Sequence, residues 1–220
     1  MCGRFALKAT PVELATSFGL DQCADFGPRY NIAPGTDIAV VRRAPDGKRV
    51  LGLLRWGLVP NRTRDPAKLP MLNNARGESL ADKPSFREAY LRRRCLVPAS
   101  GFYEWSGAGG AKQAHYITLK SGQPMALAGL WESWTAPDGS ILRSVCIVTT
   151  GPNSLMKAIH ERMPVIIAAM HWSDWLAAPV ETIVPLLAAY PADEMHAWPV
   201  SNQVNKTAVD DAGLIEPMSA

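Results

Sequence analysis

The chain has 220 residues, of which 47% are hydrophobic and 20% charged, with a net charge of +3. That balance excludes a disordered chain, and no apolar run approaches the ~18–20 residues that a membrane-spanning helix requires. Four cysteines, at 2, 23, 95 and 146, form no CxxC pair, which argues against zinc-ribbon and thioredoxin-type readings and fits a reducing compartment.

The first residues, Met1-Cys2-Gly3-Arg4, lack the basic-then-apolar pattern of a signal peptide, so a cytoplasmic protein is expected. Thr10-Pro11-Val12-Glu13 is a capping box with Pro at the first helical position and predicts a helix over 11–18. Two strands are expected at 37–43 and 50–59, joined through Pro45-Asp46-Gly47. A short basic helix follows over 85–94, then strands at 95–99, 115–119, 125–134, 141–150 and 163–168. Ser106 to Ala111, rich in Gly and Ala, reads as a flexible hairpin loop. Further helices are expected over 152–159, 173–178 and 181–189. Strands dominate the middle and helices the ends, without regular βαβ alternation. The expected fold is α+β, one domain over 1–220, with a largely antiparallel, barrel-like β core and peripheral helices.

Charge is unevenly spread. Residues 42–94 carry 14 Lys and Arg against 5 Asp and Glu, so a basic stretch stands against an acidic remainder. Such a stretch suits a polyanion-facing surface, and solvated helix faces are the plain alternative.

Four groups carry chemistry. With Met1 removed, Cys2 would present an α-amine (pKa about 7.7–8.0) beside a thiol (about 8.5), both partly nucleophilic near neutrality. A 1,2-aminothiol condenses with an aldehyde through an imine and closes a five-membered thiazolidine; a chance Cys at position two is the alternative. Asn74, Arg76 and Glu78 would share one face if their segment is a strand, or Arg76 and Glu78 simply pair on a solvated edge. Glu104 lies among aromatics in Gly101-Phe102-Tyr103-Glu104-Trp105, where burial would raise its pKa and equip it as a general acid. His160 precedes an apolar run, in Ile159-His160-Glu161-Arg162-Met163-Pro164, and is either catalytic or structural. Neither His160 nor the other histidines show metal-ligand spacing, so no metal and no cofactor are expected.

Six motifs occur in order: Met1-Cys2-Gly3-Arg4-Phe5, Arg29-Tyr30-Asn31-Ile32-Ala33-Pro34-Gly35, Trp56-Gly57-Leu58-Val59-Pro60, Asn74-Ala75-Arg76-Gly77-Glu78, the segment from Gly101 to Trp105, and that from Ile159 to Pro164. The set resembles the SOS-response-associated peptidase (SRAP) family, the abasic-site-processing proteins, over roughly residues 2–201. The resemblance implies a sensor of abasic sites in single-stranded DNA that crosslinks itself to the lesion through Cys2 after Met1 removal. It also implies an associated AP-lyase activity and an autopeptidase activity, acting as a monomer with no membrane partner. By the same resemblance Asn74 holds the adduct, Glu104 exchanges protons during sugar opening, and His160 assists proton transfer. Arg4, Arg76 and Arg162 would meet phosphates, Thr149 near the pocket and Trp56 would also bind DNA, and Trp105 sits close to the site. The family pattern has a Trp shortly after Trp-Gly-x-x-Pro; here Asn61-Arg62-Thr63-Arg64-Asp65 follows, and Arg62 or Arg64 would stack on a base or bind a phosphate instead.

Two other readings fit parts of the sequence. An N-terminal-nucleophile glutamine amidohydrolase also begins Met-Cys-Gly, and a non-covalent single-stranded DNA binder would use the basic stretch and the aromatics.

Overall fold

Thr10 starts the first helix as its sequence predicts. In the computed structural model, which describes residues 2–107 and 112–218, β1 (Arg4–Leu7) leads into α1 (Pro11–Phe18). The Thr10 hydroxyl accepts from the Glu13 N–H at 3.2 Å while the Glu13 carboxylate accepts from the Thr10 N–H at 2.7 Å. Gly19, in the left-handed region at φ 63°, ends the helix. Residues 108–111 of the expected flexible loop lie outside the described residues.

The remaining strands are β2 (Arg29–Ile32), β3 (Asp37–Arg43), β4 (Arg49–Trp56), β5 (Asn74–Arg76), β6 (Arg94–Ala99), β7 (Gly101–Ser106), β8 (Gln113–Leu119), β9 (Met125–Thr135), β10 (Ile141–Thr150), β11 (Met163–Pro164) and β12 (Met195–Pro199). Strands β10, β4, β3, β6 and β9 pair in that order, and β9 pairs back onto β10 from Ile141 opposite Thr135 to Ile147 opposite Gly129. That closes a five-stranded barrel and removes its open edges. All its pairings are antiparallel except β10 with β4; β5 also joins β10 in parallel. The second sheet runs β12-β8-β7-β1-β2, all antiparallel. Leu54, Leu96, Leu127, Val145 and Ile147 belong to one continuous core with Phe5 and Trp56. This is the α+β fold with a barrel-like core that the sequence suggests.

The helices are α2 (Pro84–Arg92), α3 (Trp172–Ala177) and α4 (Val180–Ile183). Several expected boundaries move. The basic helix ends at Arg92, and Arg94 opens β6 instead, its buried guanidinium donating to the Tyr90, Trp175 and Ala178 carbonyls. The helix expected over 152–159 is a single 3-10 turn at Met156–Ala158, started by the Asn153 side chain accepting from the Met156 N–H at 2.9 Å. The one expected over 181–189 breaks into α4 and a 3-10 turn, because Pro185 offers no N–H within a β-branched run. The strand expected over 163–168 pairs regularly only at Met163–Pro164. Among the described residues no helix is long and apolar enough to cross a membrane.

Candidate active site around Cys2

Strand β1 is short, but it lies between β7 and β2 in the second sheet, and Cys2 stands two residues before its first residue, Arg4. Arg4 pairs with Tyr103, and the next residue of β7 is Glu104. Cys2 is fully buried and Glu104 is 2% exposed. From the other side, β10 holds β5 in parallel register, with Ile147 opposite Asn74 and Thr149 opposite Arg76. Asn74 Nδ2 then donates to the Cys2 carbonyl at 2.8 Å. The third approach comes after the Met156–Ala158 turn, where the chain delivers His160 with its Nε2 3.9 Å from Glu104 Oε2. Cys2, Asn74, Glu104 and His160 therefore meet at one place, although up to 158 positions separate them in sequence.

The electrostatics of this cluster disfavour buried charge. Burial first, then the charge of Glu104, push the Cys2 thiol well above its ordinary range. Burial likewise raises the Glu104 carboxyl. The His160 ring is held by its neighbour: Nδ1 lies 3.0 Å from the Arg162 nitrogen and 3.2 Å from the Arg162 carbonyl oxygen, which leaves Nε2 as the nitrogen nearest Glu104. Asn74 Oδ1 is buried without a hydrogen-bond partner among the described residues. The arrangement offers an acid–base pair, an unfilled acceptor, and a neutral thiol beside the start of the chain. Among the described residues no group of three or more His, Cys, Asp or Glu could hold a metal ion.

The arginines divide. Arg162 is clamped: its guanidinium makes a two-pronged pair with Glu78 at 2.7 and 2.9 Å and donates to the Thr149 carbonyl at 2.7 Å. The same contact holds the Glu78 carboxyl below the usual carboxylate range. Arg4 NH1 donates to Asn31 Oδ1 at 2.6 Å and the Val204 carbonyl at 2.8 Å, tying β1 to the C-terminal segment. Arg76 and Arg62 are exposed, and Thr149 is buried beside Arg162.

Three expectations are corrected. Glu78 does not continue a strand face with Asn74 and Arg76, because β5 stops at Arg76 and Glu78 lies in a 3-10 turn, paired with Arg162. Trp56 is 0% exposed and cannot stack on a base. Its ring meets Phe5 edge-on at 5.3 Å, and its Nε1 donates to the Asn73 carbonyl at 2.8 Å, so it braces the segment carrying Asn74. Trp105 points away from Glu104 into a separate cluster with Tyr103, Tyr116 and Val204, as strand alternation requires. Sequence reasoning missed Asn31 as the clamp on Arg4 and Glu78 as the clamp on Arg162; the latter pair is 84 positions apart, and no local pattern marks it.

Known proteins share both the sequence pattern and the fold. The family model described as SOS response associated peptidase (SRAP) matches residues 1–207. The chain is 40% identical to the abasic site processing protein YoqW of Bacillus subtilis (strain 168), over 98% of this chain and 99% of that protein. It is 31% identical to the abasic site processing protein HMCES of Mus musculus, over 87% of this chain and 65% of that protein. A crystal structure of a Bacteroides thetaiotaomicron protein has the same fold, with TM-score 0.87 at 24% identity over 99% of this chain and all of that one. A Bordetella bronchiseptica protein follows at TM-score 0.80 and 27% identity, over 91% of this chain and all of that one.

Proposed function

The chain belongs to the SOS response associated peptidase (SRAP) family, and from that premise and the geometry around Cys2 we propose that it senses abasic sites in single-stranded DNA and crosslinks itself to them. The observation that carries this reading is the convergence of Asn74, Glu104 and His160 on a buried Cys2. Removal of Met1 frees the Cys2 amine. Because the thiol is held protonated, the amine is the first nucleophile: it attacks C1′ of the open sugar aldehyde to form a carbinolamine. Loss of water leaves an imine. The thiol then adds across it, sulfur to carbon and proton to nitrogen, so the thiazolidine forms with one water released in all.

Glu104 supplies the proton exchanges. Its raised pKa lets it protonate the ring oxygen during sugar opening and the carbinolamine hydroxyl during dehydration. His160, with Nε2 3.9 Å from Glu104, relays protons between that carboxyl and water, taking one up before passing one on, and in the elimination direction assists strand cleavage, the AP-lyase step. Asn74 fixes the Cys2 backbone through Nδ2 and offers Oδ1 to an N–H or hydroxyl of the adduct. Arg76 and Arg62, both exposed, are the arginines free to meet phosphate directly. Arg162 reaches a phosphate only by sharing or releasing Glu78, and Arg4 offers the face left over from Asn31. Met1 removal by the same groups is the autopeptidase step, and the protein acts as a cytoplasmic monomer over a single domain.

The test is a denaturing gel of the Met1-processed protein with single-stranded DNA carrying uracil, before and after uracil-DNA glycosylase. The proposal expects a covalent band only after glycosylase treatment. Release of ammonia from glutamine with no band would favour the amidohydrolase, and salt-reversible binding with no band would favour a simple DNA binder.

A further inference from the structure

A cavity with a charged floor lies away from Cys2, between the segment that follows β4, the face of α2 from Pro84 to Leu91, and β9. It measures about 680 Å³. Glu132 of β9 forms its floor, with a side chain 3% exposed. One carboxylate oxygen accepts from Arg93 at 2.8 Å; the other, Oε2, is buried with no hydrogen-bond partner among the described residues. A buried carboxylate oxygen left without a donor is costly, more so than a neutral acceptor. The protein folds around it nonetheless, so a ligand that brings an N–H to this carboxylate would relieve that cost.

The walls and rim narrow the ligand class. Pro60, Leu69 and Leu91 supply apolar wall surface suited to a flat ring. Arg62 and Arg87 line the mouth and are both exposed. Two acids share the rim, but Glu88 is neutralised by Arg92 at 3.0 Å, leaving Asp82 alone against two arginines. A donor edge is thus wanted at the floor and an anion at the mouth, with room for a planar group between.

We infer that this cavity binds a guanine nucleotide, its base edge on Glu132 and its phosphate at Arg62 and Arg87. Guanine presents adjacent donors, N1–H and N2–H₂, whereas adenine and cytosine set a ring-nitrogen acceptor beside their amino groups. Thymine flanks its one donor with two carbonyls, which a carboxylate repels. The nucleotide comes either free or as part of a DNA strand, and only the second source rests on the DNA reading above.

The experiment is a titration of isotope-labelled protein, followed by NMR, with dGMP, dIMP, dAMP, dCMP and dTMP, none of which contains an abasic site. The expected result is chemical-shift change around Glu132 and Leu91, with dGMP roughly tenfold or more tighter than dTMP, the discrimination typical of one good base contact. Inosine lacks the exocyclic amine, so dIMP should fall between them. Deoxyguanosine, without phosphate, should bind more weakly than dGMP, and the double variant Arg62→Ala, Arg87→Ala should abolish that difference. Glu132→Gln should flatten the base ranking; if it does not fold, the dGMP–dIMP–dTMP series on the unaltered protein decides alone. A second titration uses oligo-dT with one internal dG. Shifts near Glu132 with this oligonucleotide assign the pocket to the strand, and shifts with dGMP alone assign it to a free nucleotide. No shift near Glu132 with any probe, or equal affinity for dGMP and dTMP, overturns the inference whatever the crosslinking gel shows.

Discussion

Trp56 and Glu104 illustrate how far single residues can be read. Both stand in motifs beside the chemistry, and an aromatic that stacks on DNA looks in sequence like one that fills a core. Burial decides: Trp56 donates inward to the Asn73 carbonyl. Trp56→Phe keeps the apolar ring but loses that bond, so the segment carrying Asn74 loosens. The expected outcome is crosslinking slowed several-fold with unchanged affinity for single-stranded DNA; a drop in affinity with crosslinking intact would restore the stacking role. Glu104 was legible because aromatics flank it in sequence; Tyr103 and Trp105 face a separate cluster, but burial does raise the Glu104 pKa. With a folded pKa above the unfolded value near 4.3, the folded state holds more protons between the two, so this group's contribution to stability falls as pH rises through that window. Glu104→Gln removes the effect. Its melting temperature should gain on the unaltered protein as pH rises from about 4 towards neutrality, and a constant difference would refute the raised pKa. The same substitution should slow crosslinking to a ring-closed abasic site by ~10²–10⁴-fold and recover most of the rate on an acyclic aldehyde. An equal deficit on both substrates would move Glu104 to a later step.

At the level of elements, capping and turn chemistry were readable and non-local pairing was not. α1 begins and ends where Thr10, Pro11 and Gly19 place it, because those signals act within one turn. Strand β5 has three residues and no alternation of its own; it exists because β10 pairs with it. β1, β2 and β12 likewise have four or five residues each and depend on neighbours far along the chain. The barrel wall makes a demand that sequence alone leaves unexplained: Gly129 of β9 lies against Cys95 and Val97 of β6. A Cβ there would stand 2.7 Å from Cys95 Sγ and 3.2 Å from Val97 Cγ2. Gly129→Ala should cost roughly 1–3 kcal/mol by overpacking, measured by urea unfolding. Adding Cys95→Ala should recover part of that loss. A neutral Gly129→Ala would mean that the wall yields more easily than its packing implies.

For the whole molecule, closing the barrel through β9 and β10 leaves the second sheet free to hold Cys2 against Glu104, while β4, the segment after it, β5 and α2 bring the basic stretch to the surface. Arg55, Arg62, Arg64, Arg76, Arg87 and Arg92 are all exposed. If they track a strand, affinity for single-stranded DNA should fall with salt at a slope of roughly −0.7 per phosphate neutralised, and a salt-independent affinity would contradict a phosphate-tracking surface. The strand order that achieves this was not legible, since the parallel contacts of β10 with β4 and β5 leave no hairpin signature. The central claim, however, concerns one bond. Digestion of the crosslinked protein followed by mass spectrometry should place the deoxyribose remnant on the N-terminal peptide beginning at Cys2, with the mass of aminothiol plus aldehyde less one water, and Cys2→Ser should yield little heat-stable adduct. A remnant on a lysine, or Cys2→Ser crosslinking as well as the unaltered protein, would contradict the account.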